Sequence, residues 1–182
     1  MPEQKMLIAH PPAGTTLYAE KRFTIRRCDL ALPNGSNESR ALMVHPGAVV
    51  LVPILADGRI VMIRNRRWQI GHCLLELPAG TREAHESFEA CARRELEEET
   101  GYRTDNLKSL PPFFAAPGVS TEVMHPYVAR DLIHVGQSLA PDEKIEVVVM
   151  TQNDLRVSIQ SGEVIDGKTL SVLGRLFLGG SL

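Results

Sequence analysis

The stretch GTREAHESFEACARRELEEETGY, residues Gly80 to Tyr102, decides the fold of this 182-residue chain. Its second half predicts a helix from about Ser87 to Thr100, because apolar residues recur at helical spacing and Gly101 follows as the residue that ends the helix. The last two turns of this helix carry the densest group of carboxylates in the sequence. Those carboxylates are the first candidates for chemistry.

The predicted helix has an apolar face that continues into acidic residues. On a helical wheel at about 100° per residue, Phe88 and Glu99 fall on the same side as Glu95. Glu98 lies to one flank of that side, and Glu97 alone points away. We therefore expect the first two turns to pack on a sheet, and Glu95 and Glu99 to point inward or along a cleft.

The acidic end of the helix requires a positive partner. Negative charge near a helix C-terminus opposes the macrodipole, and Glu95 with Glu99 forms a like-charge pair four residues apart, each effect costing a few tenths of a kcal/mol. A solvated helix end is the alternative interpretation. A hard divalent cation such as Mg²⁺ compensates the charge directly, because it takes carboxylate oxygens and bridges to substrate phosphates.

The same residues resemble a known motif, the Nudix box Gx5Ex7REUxEExGU. Gly80, Glu86 and the run Arg94 to Gly101 match it at every fixed position, and only Tyr102 departs, where the pattern prefers an aliphatic residue. On this resemblance the chain is identified as a member of the Nudix hydrolase superfamily. The resemblance implies a metal-dependent hydrolase of a diphosphate linked to another group.

The resemblance also implies individual roles for the box residues. The implied ligands of Mg²⁺, or of Mn²⁺ as a substitute, are Glu95, Glu98, Glu99 and the carbonyl of Ala79. Glu95, Glu98 and Glu99 are thereby the implied catalytic carboxylates. Glu86 and Arg94 would form an ion pair that braces the preceding loop on the helix. A bound metal would neutralise the pyrophosphate oxygens and activate a water for in-line attack.

Segments outside the box resemble the ADP-ribose pyrophosphatase, or nucleoside diphosphate sugar hydrolase, branch of the superfamily. The resemblance is carried by Pro117, 16 residues after Gly101, and by the segments HPGAVVLVP (45–53), RNRRWQIG (64–71) and LLELPAG (74–80). It implies cleavage of ADP-ribose or a nucleoside diphosphate hexose to a nucleoside monophosphate and a sugar phosphate. The alternatives are a hydrolase of modified nucleoside triphosphates or dinucleoside polyphosphates, and a non-catalytic ligand-binding Nudix regulator.

Several residues outside the box are candidates for substrate binding, together with Pro117. Arg64 and Arg67 are expected to contact phosphates, and Trp68 to stack on a base or ribose, because a guanidinium matches phosphate oxygens and an indole offers a flat face. Core or dimer packing is the alternative for Trp68. Glu122 resembles the position that touches the substrate's sugar in this branch.

A further acidic residue is expected in the loop APDEKIEV, before a late strand. The resemblance implies that this loop supplies a general base or an extra metal ligand. Glu143 is the candidate, with Asp142 and Glu146 as alternatives.

The remaining sequence predicts an α/β sandwich, a mixed sheet between helices. The resemblance implies that this is the α/β/α sandwich of the Nudix type. Residues 46–182 are expected to form the Nudix domain and residues 1–45 a small antiparallel sheet. The predicted strands are 15–20, 23–32, 40–45, 48–55, 59–64, 73–77, 125–132 and 144–151, and the later helices are 153–160 and 168–178. Residues 78–80 are predicted to be a loop.

The resemblance implies a homodimer that exchanges the N-terminal sheet, so that Tyr18 or Phe23 of one subunit reaches the other's substrate. Burial of edge strands in such a dimer would prevent uncontrolled pairing.

The composition excludes several classes of protein. The net charge of −2 gives no basic excess for nucleic acid, so we expect no nucleic-acid partner. The three cysteines, Cys28, Cys73 and Cys91, form no CxxC pair, which argues against a disulfide framework or zinc site and favours a reducing compartment. The longest apolar run, Ala48 to Ala56, is too short to span a bilayer, so we expect a soluble cytoplasmic protein without membrane contact.

Overall fold

The computed structural model describes residues 7, 9–141 and 143–180. Within them, thirteen strands and three helices alternate irregularly along the chain. The strands are β1 (Thr15–Ala19), β2 (Thr24–Ala31), β3 (Asn37–Val44), β4 (Ala48–Pro53), β5 (Ile60–Arg67), β6 (His72–Glu76), β7 (Ala79–Thr81), β8 (Tyr102–Arg103), β9 (Asn106–Ser109), β10 (Phe113–Phe114), β11 (Val123–Arg130), β12 (Ile133–His134) and β13 (Ile145–Met150). The helices are α1 (Phe88–Thr100), α2 (Gln152–Gln160) and α3 (Gly167–Leu178).

The central sheet is mixed. Its strands run in the order β10-β11-β4-β7, and β9 also pairs with β11. Strands β4 and β11 are parallel, with Val50 opposite Pro126, whereas β7, β9 and β10 pair antiparallel to their neighbours. A second, antiparallel sheet has the order β13-β5-β6, and β1-β2-β3 form the N-terminal sheet.

Strand β4 is buried along its whole length, and helices pack on both faces of the mixed sheet that contains it. Val49 and Leu51 pack with Leu96 of α1. Val50, on the opposite face, belongs to the cluster that includes Leu173 of α3. This alternation follows from the two-residue period of a strand. The predicted α/β/α sandwich with a mixed sheet and a small N-terminal sheet is confirmed.

Helix α1 begins and ends as the sequence predicts. The Ser87 hydroxyl accepts a hydrogen bond from the Ala90 N–H at 3.1 Å, so Ser87 caps the helix. Gly101 has φ of 72° and its N–H donates to the Glu97 carbonyl at 2.9 Å, which ends the helix in the left-handed region that favours glycine. Glu97 is exposed, as the wheel predicts.

The prediction of a loop at residues 78–80 was wrong in part, because Ala79–Thr81 forms β7 on the edge of β4. Three residues are too few to show a two-residue period. Gly80 in this strand lies directly under the side chain of Glu95, so that a Cβ at position 80 would overlap the Glu95 carboxylate. Glycine is required here by the close approach, and it allows the Glu95 carboxylate to rest on the strand.

Other differences concern the ends of strands and the very short strands. Strand β3 begins at Asn37 rather than at residue 40, and β5 continues to Arg67 rather than ending at residue 64. The prediction omitted β8, β9, β10 and β12, which have two to four residues each. Pairing with a distant part of the chain, not local pattern, creates such strands: β9 and β10 pair with β11, and β8 and β12 pair with each other.

The N-terminal sheet is attached to the rest of the chain through the end of β3. The Met43 N–H donates to the Val119 carbonyl at 3.0 Å, and the Met43 carbonyl accepts from the Thr121 N–H at 2.9 Å. At its other end, the turn after β1 brings Lys21 within 2.8 Å of Glu83, so this sheet reaches the loop before α1.

Across the described residues, no helix has the length and apolar content needed to cross a membrane.

Replacement of Gly80 by alanine is expected to destabilise the protein. The added Cβ would displace the buried Glu95 side chain from its contact with Arg94, at a cost of about 1–3 kcal/mol in the free energy of unfolding. Gly174→Ala in α3 is the control, because nothing lies within 4 Å of its Cβ position and alanine favours a helix by roughly 0.5–1 kcal/mol. Urea unfolding measures both, and equal stability of Gly80→Ala and the unaltered protein would contradict the close approach.

Candidate active site

A cleft of about 860 Å³ lies beside the C-terminal half of α1. Its walls come from the β5–β6 turn, from β7 and the loop before α1, and from the loop before β13, and Lys21 and Arg22 also line it. Six carboxylates line it: Glu83, Glu86, Glu95, Glu98, Glu99 and Glu143. A cleft with this charge is suited to a cation and to a ligand that the cation can bridge to the protein.

The guanidinium of Arg94 holds three of these carboxylates together. It forms a two-point ion pair with Glu86, with nitrogen–oxygen distances of 2.7 and 3.2 Å, as the sequence led us to expect. One of its nitrogens also donates to Glu95 at 2.6 Å and to Glu98 at 2.9 Å. Hydrogen bonding to Arg94 lowers the pKa of Glu86 to about 2, so this carboxylate stays charged.

Glu99 and Glu95 are carboxylates in unfavourable surroundings. Glu99 is 3% exposed, and burial, followed by repulsion from Glu95, raises its pKa to about 8. The Ala79 N–H donates to Glu99 at 2.8 Å, which opposes the rise without reversing it. Burial also raises the pKa of Glu95, although the adjacent Arg94 opposes the rise. A nearby cation would stabilise the charged form of both carboxylates.

The donor set is chemically suited to a hard divalent cation, because it consists of carboxylate oxygens. Within the described residues, no three histidine, cysteine, aspartate or glutamate side chains are already assembled as a metal site. The guanidinium of Arg94 contacts both Glu95 and Glu98. A cation would compete with Arg94 for these two carboxylates.

Arg67 lines the cleft but is bound to a residue that the sequence analysis did not identify. Its guanidinium forms two hydrogen bonds, 2.9 and 2.5 Å long, with the fully buried Glu76. Glu76 also accepts from Lys168 at 2.5 Å, and Lys168 is 2.9 Å from Asp166. A glutamate within the apolar segment LLELP was a signal that a buried ion pair is present, because a charged side chain is buried only when it is paired.

Arg64 and Trp68 occupy different positions relative to the cleft. Arg64 does not line it, and its guanidinium contacts Glu163 at 2.8 Å. Arg64 and Arg67 are three residues apart on β5, and an odd separation places side chains on opposite faces of a strand. Trp68 lines the cleft with 77% of the residue exposed, so it is not part of the core.

Pro117 and Glu122 are not among the described residues that line the cleft. Pro117 is exposed in the loop before β11. Glu122 lies 3.7 Å from the imidazole of His45, and burial lowers the pKa of that histidine. His45 lines a second cavity, of about 490 Å³, together with Phe88 and other mainly apolar residues. The structure therefore does not bring Pro117 or Glu122 together with the box carboxylates.

Of the acidic candidates before β13, Glu143 lines the cleft. Its negative charge contributes to the raised pKa of both Glu95 and Glu99. Glu146 is exposed on β13 opposite Arg64 and does not line the cleft. Asp142 lies outside the described residues.

Comparisons with known proteins agree with this architecture. Residues 43–171 match the family described as NUDIX domain. The ADP-ribose pyrophosphatase of Bacillus subtilis (strain 168) is 36% identical over 159 residues, which cover 86% of each chain. The GDP-mannose pyrophosphatase of Yersinia pestis (strain Pestoides F) is 33% identical over 159 residues, covering 80% of this chain and 79% of that protein.

A solved structure supports the fold. The crystal structure of an ADP compounds hydrolase superposes with a TM-score of 0.78 and 24% identity, covering 97% of this chain and 98% of that one. The box sequence, the sandwich and the family match lead to one conclusion: the chain belongs to the Nudix family.

Proposed function

We propose that this Nudix protein is a hydrolase that uses Mg²⁺, or Mn²⁺ as a substitute, to cleave the pyrophosphate of a nucleoside diphosphate sugar such as ADP-ribose or a nucleoside diphosphate hexose. The products are a nucleoside monophosphate and a sugar phosphate. One observation carries the proposal: the box carboxylates Glu95, Glu98 and Glu99 all line one cleft, which is large enough for a nucleotide sugar. The names of the two pyrophosphatase relatives support the same substrate class.

The proposed metal ligands are Glu95, Glu98, Glu99 and the carbonyl of Ala79. Burial of Glu95 and Glu99 creates a demand for positive charge that Arg94 meets only in part. When bound, the metal supplies neutralisation of the pyrophosphate oxygens and a more acidic water. A bound metal would replace Arg94 at Glu95 and Glu98. The ion pair of Arg94 with Glu86 would meanwhile keep the loop before α1 in place on the helix.

Glu143 is the proposed general base or further metal ligand. It lines the same cleft as the box carboxylates, and its negative charge contributes to the raised pKa of Glu95 and of Glu99. Its role is to accept the proton of the water that attacks phosphorus in line with the leaving oxygen. Among the described residues, Glu143 forms no ion pair with a cationic side chain; its carboxylate accepts from the Ala140 N–H and keeps further lone pairs available.

Arg67 and Trp68 are the proposed contacts for the nucleotide. Glu76 fixes the Arg67 guanidinium at the cleft wall, where it can meet a phosphate, and the exposed Trp68 offers a flat apolar surface for a base. Arg64, Pro117 and Glu122 remain proposals for substrate contact that a single subunit does not support, since none lines the cleft.

We also propose that residues 1–45 and 46–182 act as a dimerisation unit and a catalytic domain. Strand β1 is exposed along its length, and Leu17 and Tyr18 are each 55% exposed, so this edge has apolar surface that a second subunit would cover. Trp68 and Ile70 are similarly exposed on the β5–β6 turn.

The three cysteines are free, which accords with a reducing cytoplasm as the proposed compartment.

The alternative functions differ in their products and in their need for the carboxylates. A hydrolase of modified nucleoside triphosphates would release pyrophosphate, whereas the proposed enzyme releases a sugar phosphate. A ligand-binding regulator would bind a nucleotide without cleaving it. A product-resolved assay with a panel of nucleotide sugars and nucleoside triphosphates, in the presence of Mg²⁺, separates the three.

In that assay, Glu98→Gln is expected to lower kcat by about 100-fold or more, because a neutral amide replaces a charged ligand of the metal. Glu97→Gln is the matched control: the neighbouring glutamate is exposed on the opposite side of α1 and should retain full activity. Circular dichroism should show both variants folded. Full activity of Glu98→Gln would remove the box carboxylates from the mechanism.

Stability should depend on pH through Glu99. Its pKa is raised from 4.5 to about 8 in the metal-free protein, so between these pH values the folded state holds a proton that the unfolded chain releases. The free energy of unfolding therefore falls as pH rises from about 5 to about 8. Because Mg²⁺ binds the deprotonated carboxylates, it should stabilise the protein more at about pH 8 than at about pH 5.

Urea unfolding at about pH 5, 6.5 and 8, with and without MgCl₂, measures this effect. Glu99→Gln should flatten the pH dependence across this range and weaken the stabilisation by Mg²⁺. A pH dependence that is the same in Glu99→Gln and in the unaltered protein would show that Glu99 does not titrate in this range.

A further inference from the structure

The loop between β12 and β13 is fastened to the C-terminal end of α1. The last carbonyls of a helix have no partner within the helix, so they require donors from elsewhere. Here the loop supplies donors to three carbonyl groups in this region. The bonds are Val135 N–H to Gly101 O at 2.7 Å, Gly136 N–H to Gly101 O at 3.1 Å, Ser138 N–H to Glu98 O at 3.1 Å, and Gln137 Nε2 to Glu99 O at 2.6 Å.

The loop also packs directly on the helix end. A Cβ on Gly101 would stand 2.8 Å from the Gln137 backbone nitrogen and 2.8 Å from the Gly136 carbonyl carbon. The three backbone donors of the loop are common to almost any sequence. Gln137 is different, because its side-chain amide supplies a donor that depends on the residue type.

The fastened segment leads immediately to the cleft. Ser138, Leu139, Ala140 and Glu143 all line it. A turn joins the last two of these: the Glu143 N–H donates to the Ala140 carbonyl, and the Ala140 N–H donates to the Glu143 carboxylate, both at 3.0 Å. The position of the Glu143 side chain therefore depends on where Ser138 is anchored.

Two of the carbonyls that the loop binds belong to residues whose carboxylates line the cleft. The carbonyls of Glu98 and Glu99 bind the loop, while their carboxylates line the cleft. A shift of the loop along the helix would change the separation between Glu143 and those carboxylates. Displacements of this kind are costly in catalysis, because acid–base chemistry requires groups held within hydrogen-bond reach.

We propose that Gln137 is a positioning residue: by donating to the Glu99 carbonyl, it fixes the loop on α1 in the place that sets Glu143 against the box carboxylates. This inference rests on the proposed function of Glu143. Gln137 itself does not line the cleft, so it acts on the reaction through the loop and not by contact with substrate.

The test is a double-mutant cycle measured with the nucleotide sugar that the assay identifies. Gln137→Ala is expected to lower kcat by about threefold to tenfold, the equivalent of one hydrogen bond, with KM nearly unchanged. In the Glu143→Gln background, Gln137→Ala should cause no further loss of kcat, because the residue that it positions no longer acts as a base. The side-chain amide oxygen that Glu143→Gln introduces can still accept from the Ala140 N–H, so the turn is kept.

Gln160→Ala, at the exposed end of α2, is the control and should not change kcat in either background. An unchanged kcat in Gln137→Ala overturns the proposal. So does an equal loss of kcat in both backgrounds, because it would show that Gln137 acts independently of Glu143.

Hydrogen exchange separates a failure of this inference from a failure of the proposed function. Gln137→Ala should speed amide exchange in the peptide that covers residues 138–145 and leave exchange in α2 unchanged. This result is independent of activity, so it is informative even if no nucleotide sugar is cleaved. Unchanged exchange in residues 138–145 would overturn the proposal whatever the activity of the protein.

Discussion

The concentration of negative charge at the end of α1 is the constraint on which the rest of the site depends. Glu95, Glu98 and Glu99 share the last two turns, where the helix dipole already disfavours negative charge. Arg94 compensates part of this negative charge by contacting Glu95 and Glu98. Its ion pair with Glu86 holds the guanidinium in a position where it can contact both. The Glu99 carboxylate, by contrast, accepts from a backbone N–H, and its burial, followed by repulsion from Glu95, raises its pKa.

The fold supports this arrangement by bringing backbone very close to the helix. Strand β7 pairs with the buried strand β4, and Gly80 lets the Glu95 side chain lie against it. The N–H of the adjacent Ala79 reaches Glu99. On the other side, the loop before β13 donates to the helix carbonyls and carries Glu143 into the same cleft. Strand β7 and the loop before β13, far apart in the chain, thus meet at one helix end.

The sequence predicts the local features of this site well and its long-range contacts poorly. The bounds of α1 follow from Ser87, Gly101 and the apolar spacing, and the inward direction of Glu95 and Glu99 follows from the helical period. The parallel pairing of β4 with β11, and the short β7, depend on residues far apart in the chain and leave no local pattern. Strand alternation would have shown that Arg64 and Arg67 face opposite ways, but this required knowing that β5 continues to Arg67. The ion pair between Arg67 and the buried Glu76 was missed because sequence spacing does not show which cation meets a buried glutamate.

The most direct measurement is a crystal structure of the protein with saturating Mg²⁺ and a non-hydrolysable ADP-ribose analogue. If the acidic end of α1 exists to hold a cation against bridging phosphates, the density will show Mg²⁺ in contact with carboxylate oxygens of Glu95, Glu98 and Glu99 and with the diphosphate. If Arg94 instead still bridges Glu95 and Glu98, and no cation lies between these carboxylates and the analogue, the metal-binding role of the helix end is wrong.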